Sequence, residues 1–99
     1  MGDIDELKGA IRRLHGCEAD HVETVPVTET FQGRIVWQGE VEVFNVRGHP
    51  KAARCYAWAH AEGEDDKGKR FVAVLELPPV ESAQTAVRAA IVDEAKRRR

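Results

Sequence analysis

The feature that most limits how this chain can fold is a change in the period of its apolar residues, from helical to alternating and back to helical. Ile4, Leu7, Ile11 and Leu14 recur at spacings of three, four and three, which puts one apolar stripe along a helix. Asp3 with Glu6 three residues on has the form of a capping box, and Gly16 supplies the stop. Acidic residues in the first turn and Arg12, Arg13 and His15 in the last suit the helix dipole, so a helix is predicted over 3–15. From Val22 the period changes: Val25, Val27, Val41 and Val43 alternate with Glu29, Glu40 and Glu42 as in half-buried strands. Gln32-Gly33 reads as a hairpin turn and Gln38-Gly39 as a bulge within a long strand 34–47, although the reverse assignment fits as well. Arg47-Gly48-His49-Pro50-Lys51 is a loop, and a strand follows over 53–61. The charged, glycine-punctuated segment 62–69 is a second loop. A strand over 70–77 is ended by Pro78-Pro79. Ser82 then caps a helix with Ala83, Ala86, Val87, Ala90 and Ile91 in the three-four rhythm, and Asp93–Arg97 and Glu94–Arg98 pair one turn apart.

This order predicts a single α+β domain over 1–99: helix, three to four antiparallel strands, helix, with both helices on one face of the sheet. The small side chains of Ala53, Cys55, Ala57 and Ala59 let helices lie close over that face. Arg54, Tyr56, Trp58 and His60 then point away from the helices. At 99 residues the chain hides roughly 65% of its unfolded surface, enough for a core without cross-links. Two cysteines imply no disulfide framework, and reduced thiols are expected. The start is acidic where a signal peptide would be basic. The apolar run Val72-Ala73-Val74-Leu75 is far short of the ~20 residues of a membrane helix, so a cytoplasmic, non-membrane protein is expected.

The middle and end of the chain resemble the double-stranded-RNA-binding domain. Gly48-His49-Pro50-Lys51 sits between strands and leads into Arg54-Cys55-Tyr56. The last helix opens Ser82-Ala83-Gln84-Thr85-Ala86-Val87-Arg88-Ala89-Ala90. The resemblance covers about half the chain and implies a helix, antiparallel strands and a helix, with duplex RNA contacted from loop and helix. Ala83 and Gln84 stand where that family has phosphate-contacting lysines, and such recognition rests on phosphate and 2′-hydroxyl contacts. His49, Lys51 and Arg88 are the positions to which the resemblance carries an RNA contact. Charge bears on the same point. Fifteen basic residues stand against 17 acidic ones, net −2, which weighs against a polyanion-binding surface, while residues 31–60 are mildly basic.

Ser82 is the only serine and is already used as a cap, so serine-based nucleophilic catalysis is not expected. Cys55 alternates onto the alanine face, and Cys17 follows a helix C-terminus where the dipole disfavours a thiolate. His15, Cys17 and His21 match no familiar zinc spacing, so neither a metal nor another cofactor is expected. Glu40 and Glu42 could flank His60 across the sheet as an acid/base set, or simply form a polar outer face. The cluster singled out is Arg54, Tyr56, Trp58 and His60, with Trp37 as a further member. Aromatics and an Arg on an open sheet face stack rings or seat a partner, unless that face is covered by strand 22–31 folding over or by a second copy. Lys96-Arg97-Arg98-Arg99 complements the helix dipole or serves as a basic tail. The leading expectation is a non-catalytic binding or protein-interaction module, with a homodimer through the aromatic sheet face as one form of it. The alternatives are an RNA-binding domain of the resembling kind, and a small ligand binder or enzyme using Tyr56, His60 and Glu42.

Overall fold

The structure, a computed structural model, describes the backbone of residues 2–62 and 68–97 and the side chains of residues 4–59 and 71–96. It contains α1 (Gly2–His15), β1 (Glu18–Phe31), β2 (Arg34–Arg47), β3 (Arg54–Glu62), β4 (Gly68–Leu75) and α2 (Ala83–Arg97). The four strands form one antiparallel sheet in the order β1-β2-β3-β4, with both helices packed on it, as the periodicity predicts. Residues 63–67 of the predicted charged loop, the pairs reaching Arg97 and Arg98, and the last two residues of the basic run lie outside the described residues. No described helix is long and apolar enough to cross a membrane.

α1 begins one residue before the expected start, at Gly2. It ends where Gly16, at φ 70°, donates its N–H to the Arg12 carbonyl at 2.9 Å. Leu7, Ala10 and Ile11 are buried and Ile4 packs beside them, but Leu14, the last position of the stripe, is left 57% exposed. α2 is capped reciprocally. Ser82 Oγ accepts the Thr85 N–H at 3.3 Å, and Thr85 Oγ1 accepts the N–H groups of Glu81 and Ser82 at 2.8 and 2.9 Å, so Thr85 does what Glu or Gln does in the usual capping box.

The helices lie on opposite faces of the sheet, which corrects the expectation of a single helical face. Alternation within β3 sorts the contacts. Cys55 and Ala57 join Leu7 and Ile11 of α1, whereas Tyr56 and Trp58 join Ala83, Ala86 and Val87 of α2. The alanine-rich face has room for one helix, and two adjacent aromatics on the other need cover from water. The link between β4 and α2 carries the chain across, burying Val80 in the second cluster on the way.

One extra residue in β1 serves both faces. The register slips between His21 and Glu23, so Ala19 packs toward α1 while Val25 and Val27, also odd-numbered, pack toward α2. A second slip falls between Glu29 and Thr30, opposite Trp37 and Ile35, and leaves Val36 as the extra residue. The bulge expected at Gln38-Gly39 is absent, for Gly39 pairs in register with Val27. Its role is space: a Cβ there would stand 3.1 Å from the Trp37 ring. β2 pairs with β3 only from Glu42 to Asn45, so beyond Glu42 the β1–β2 hairpin diverges from the β3–β4 pair.

Gln32 and Gly33 turn that hairpin with positive φ at both positions, 54° and 80°, the requirement of a type I′ turn. Asn tolerates this region better than Gln. Gln32→Asn is therefore expected to stabilise the fold by about 0.5–1 kcal/mol, seen as a higher urea midpoint; an unchanged or lower midpoint would show that the Gln32 conformation carries no strain.

Candidate functional site

The aromatic strand is not an open face. Tyr56 and Trp58 are each only 3% exposed beneath α2, so the face is covered internally, by that helix and not by strand 22–31 folding over it, because α2 takes the face that the one-sided arrangement left bare. Trp37 does join the cluster, meeting Trp58 edge to face with centroids 5.6 Å apart. Tyr56 donates its hydroxyl to Glu76 Oε2 at 2.5 Å and lies 3.4 Å from the Glu81 carbonyl oxygen. Burial first, and then the Glu76 carboxylate, push its pKa up to about 12. Arg54 is half-buried at the rim of a 320 Å³ cleft beside Tyr56, Glu23 and Glu81. His60 pairs through its backbone with Arg70, and its side chain lies outside the described residues.

Two of the polar groups proposed for chemistry, Tyr56 and Glu42, are occupied within the fold. Glu42 accepts the Thr24 hydroxyl at 2.5 Å and meets His21 Nε2 at 2.8 Å, while the His21 ring stands edge-on to Phe44. The β1 bulge, which the alternation did not reveal, is what brings His21 and Thr24 to the same carboxylate. Cys17 and Cys55 are free and buried, and burial pushes the Cys55 thiol up to about 12. His15 Nε2 lies 3.0 Å from the Ala73 carbonyl oxygen. Among the described residues no three His, Cys, Asp or Glu side chains are grouped to hold a metal.

The positions carried over from the RNA-binding resemblance do not converge. His49 Nδ1 accepts the N–H groups of Lys51 and Ala52 at 3.1 and 2.9 Å, which closes its own loop. That loop adjoins the end of the sheet where Glu18 pairs with Arg47. Arg88 forks onto Glu29, at 3.0 and 2.8 Å, near the opposite end of β1. Eleven residues of strand span roughly 36 Å at ~3.3 Å each. Gln84 and Arg88 both donate to Glu29 and hold its carboxyl below the usual range.

The site that sequence reading missed lies at that far end. Phe31, Val36 and Val92 are 64, 48 and 54% exposed, around a groove of about 760 Å³ between the β1–β2 hairpin tip and the C-terminal half of α2. Ile91 and Ala95 line its floor, Val36 is turned to it at the bulge, and the Glu29–Arg88 pair and Lys96 edge it. The signal was present: Ile35-Val36 breaks alternation beside a turn, so one of the two must face outward whichever register is chosen. Comparison with known protein families, curated proteins and solved structures returns no match.

Proposed function

We propose that this chain is a non-catalytic protein-interaction module, and that the groove at the hairpin–α2 end seats a partner's apolar side chains. The observation that carries this reading is the convergence of Phe31, Val36 and Val92, all about half exposed or more, on one concave apolar surface edged by charge. Contiguous exposed apolar surface of this kind marks interaction sites, with a dry centre and a polar rim. The tyrosine hydroxyl, the imidazoles of His15, His21 and His49, and the thiols all serve internal contacts or burial, which supports binding over catalysis. Duplex RNA is the weaker alternative, since His49 and Arg88 are engaged within the chain and stand at opposite ends of the sheet.

A photo-crosslinking residue placed at Val92, with a second placed at exposed Asn45 as a control, tests the reading in cells that express the protein. One discrete adduct is expected from position 92, absent from position 45 and lost when Phe31→Asp is added. Equal smears from both positions, or no adduct from position 92, would sink the proposal.

A further inference from the structure

The open edge of the sheet at β4 holds backbone groups that the fold does not pair. Among the described residues only β3 neighbours β4. Glu76 donates its N–H to the Arg54 carbonyl, so even-numbered residues bond inward to β3, and the His15 ring reaches the Ala73 carbonyl from outside. Both amide groups of a strand residue point the same way, so Phe71, Ala73 and Leu75 turn theirs to the open edge. Natural edges are usually blunted by charge, proline or a bulge. β1, the other edge, has Pro26, a bulge and several acidic residues, while Phe71–Leu75 has none of these. A groove of about 700 Å³ runs along this edge, with Leu14 and His15 of α1 on one side and Ala89 and Ala90 of α2 on the other.

We propose that β4 pairs antiparallel with β4 of a second copy about a two-fold axis at Ala73, joining two four-stranded sheets into one. The strand is self-complementary in this register. Ala73 faces Ala73, Phe71 faces Leu75 and Val72 faces Val74, each cross-strand pair apolar, and basic position 70 is aligned with acidic position 76. Phe71, Ala73 and Leu75 exchange backbone hydrogen bonds with the same residues of the partner, and the Leu75 carbonyl, which already accepts the Leu77 N–H at 2.9 Å, shares its oxygen between the two. The small Ala89 and Ala90 leave room beside the joint, and Leu14, more than half exposed, gains cover. His15 guards the joint: its ring holds the acceptor at the axis, so a partner strand must displace it, which keeps the association reversible.

Sedimentation velocity of the full chain across a dilution series tests this, with folding of every variant checked by circular dichroism. A reversible dimer is expected for the wild type. His15→Ala is expected to tighten it by about tenfold, the equivalent of one hydrogen bond no longer competed for. Ala73→Pro, tolerated on an edge because the lost N–H faces outward, is expected to weaken it by at least about tenfold. Should Ala73→Pro fail to fold, mild oxidation of Ala73→Cys decides. A Cα separation near 5.5 Å at the axis suits a disulfide, so a covalent dimer is expected from Ala73→Cys and none from Val72→Cys alone, whose partner position is 74. A wild type monomeric at every concentration, a dimer unaffected by Ala73→Pro, a dimer dissolved by Val92→Asp, or no covalent dimer from Ala73→Cys overturns the proposal.

Discussion

Trp58→Ala is expected to destabilise the protein by about 3–5 kcal/mol, read as a lower urea midpoint at a nearly unchanged slope. Trp58 is 3% exposed at the meeting point of β3, the diverging β1–β2 hairpin and α2. Truncation removes a large apolar area and leaves a void that α2 fills only by moving. The edge-to-face contact with Trp37 adds about 0.5–1.5 kcal/mol beyond area alone, and Trp37 is itself only half-buried, so Trp37→Ala should cost distinctly less. A domain of this size has about 5–15 kcal/mol in total, so Trp58→Ala could consume most of it. A loss below about 1 kcal/mol would mean that α2 does not rest on Trp58.

Alkaline conditions should weaken the fold in a defined window. The folded pKa of Tyr56 is raised from 10.0 to about 12, first by burial and then by the carboxylate it donates to, so the folded state keeps a proton that the unfolded chain releases. The stabilisation linked to that proton is complete below pH 10 and is lost as pH climbs toward 12, a difference of roughly 3 kcal/mol. Cys55 has the same sign, its pKa raised from 9.0 to about 12 chiefly by burial, so the decline begins near pH 9. Urea unfolding at a series of pH values measures this. Tyr56→Phe should roughly halve the slope between 10 and 12, leaving the Cys55 share, while costing stability at neutral pH because Glu76 loses its donor. A Tyr56→Phe profile with the wild-type slope in that interval would refute the linkage.

What the sequence makes legible is local. The bounds of β2 match the predicted 34–47, the Gln32-Gly33 turn is where it was expected, and Ser82 caps α2, because each rests on a few neighbouring residues whose conformational preferences agree. Cys55 is buried as its alternation predicts. Sidedness is not local. Periodicity says that Tyr56 and Trp58 share a face but not which helix crosses to it; that depends on the path of the β4–α2 link. The bulge at Val22 is hard to read, since Ala19 before it and Val25 and Val27 after it are all odd-numbered although they face opposite sides of the sheet. The groove at Phe31, Val36 and Val92 arises only when α2 is laid beside the hairpin tip.

The bulge in β1 also governs how damage spreads. Because the strand changes face partway along, the sheet acts as a partition between two dry compartments, one closed by Leu7 and Ile11 and the other by Ala86 and Val87. The buried apolar side chains form two separate clusters, so a truncation in each should add independently, within about 0.5 kcal/mol. Truncations on the two sides are therefore expected to be separate subtractions from one total stability, so that the cost of a change beneath α1 does not depend on what has been removed beneath α2.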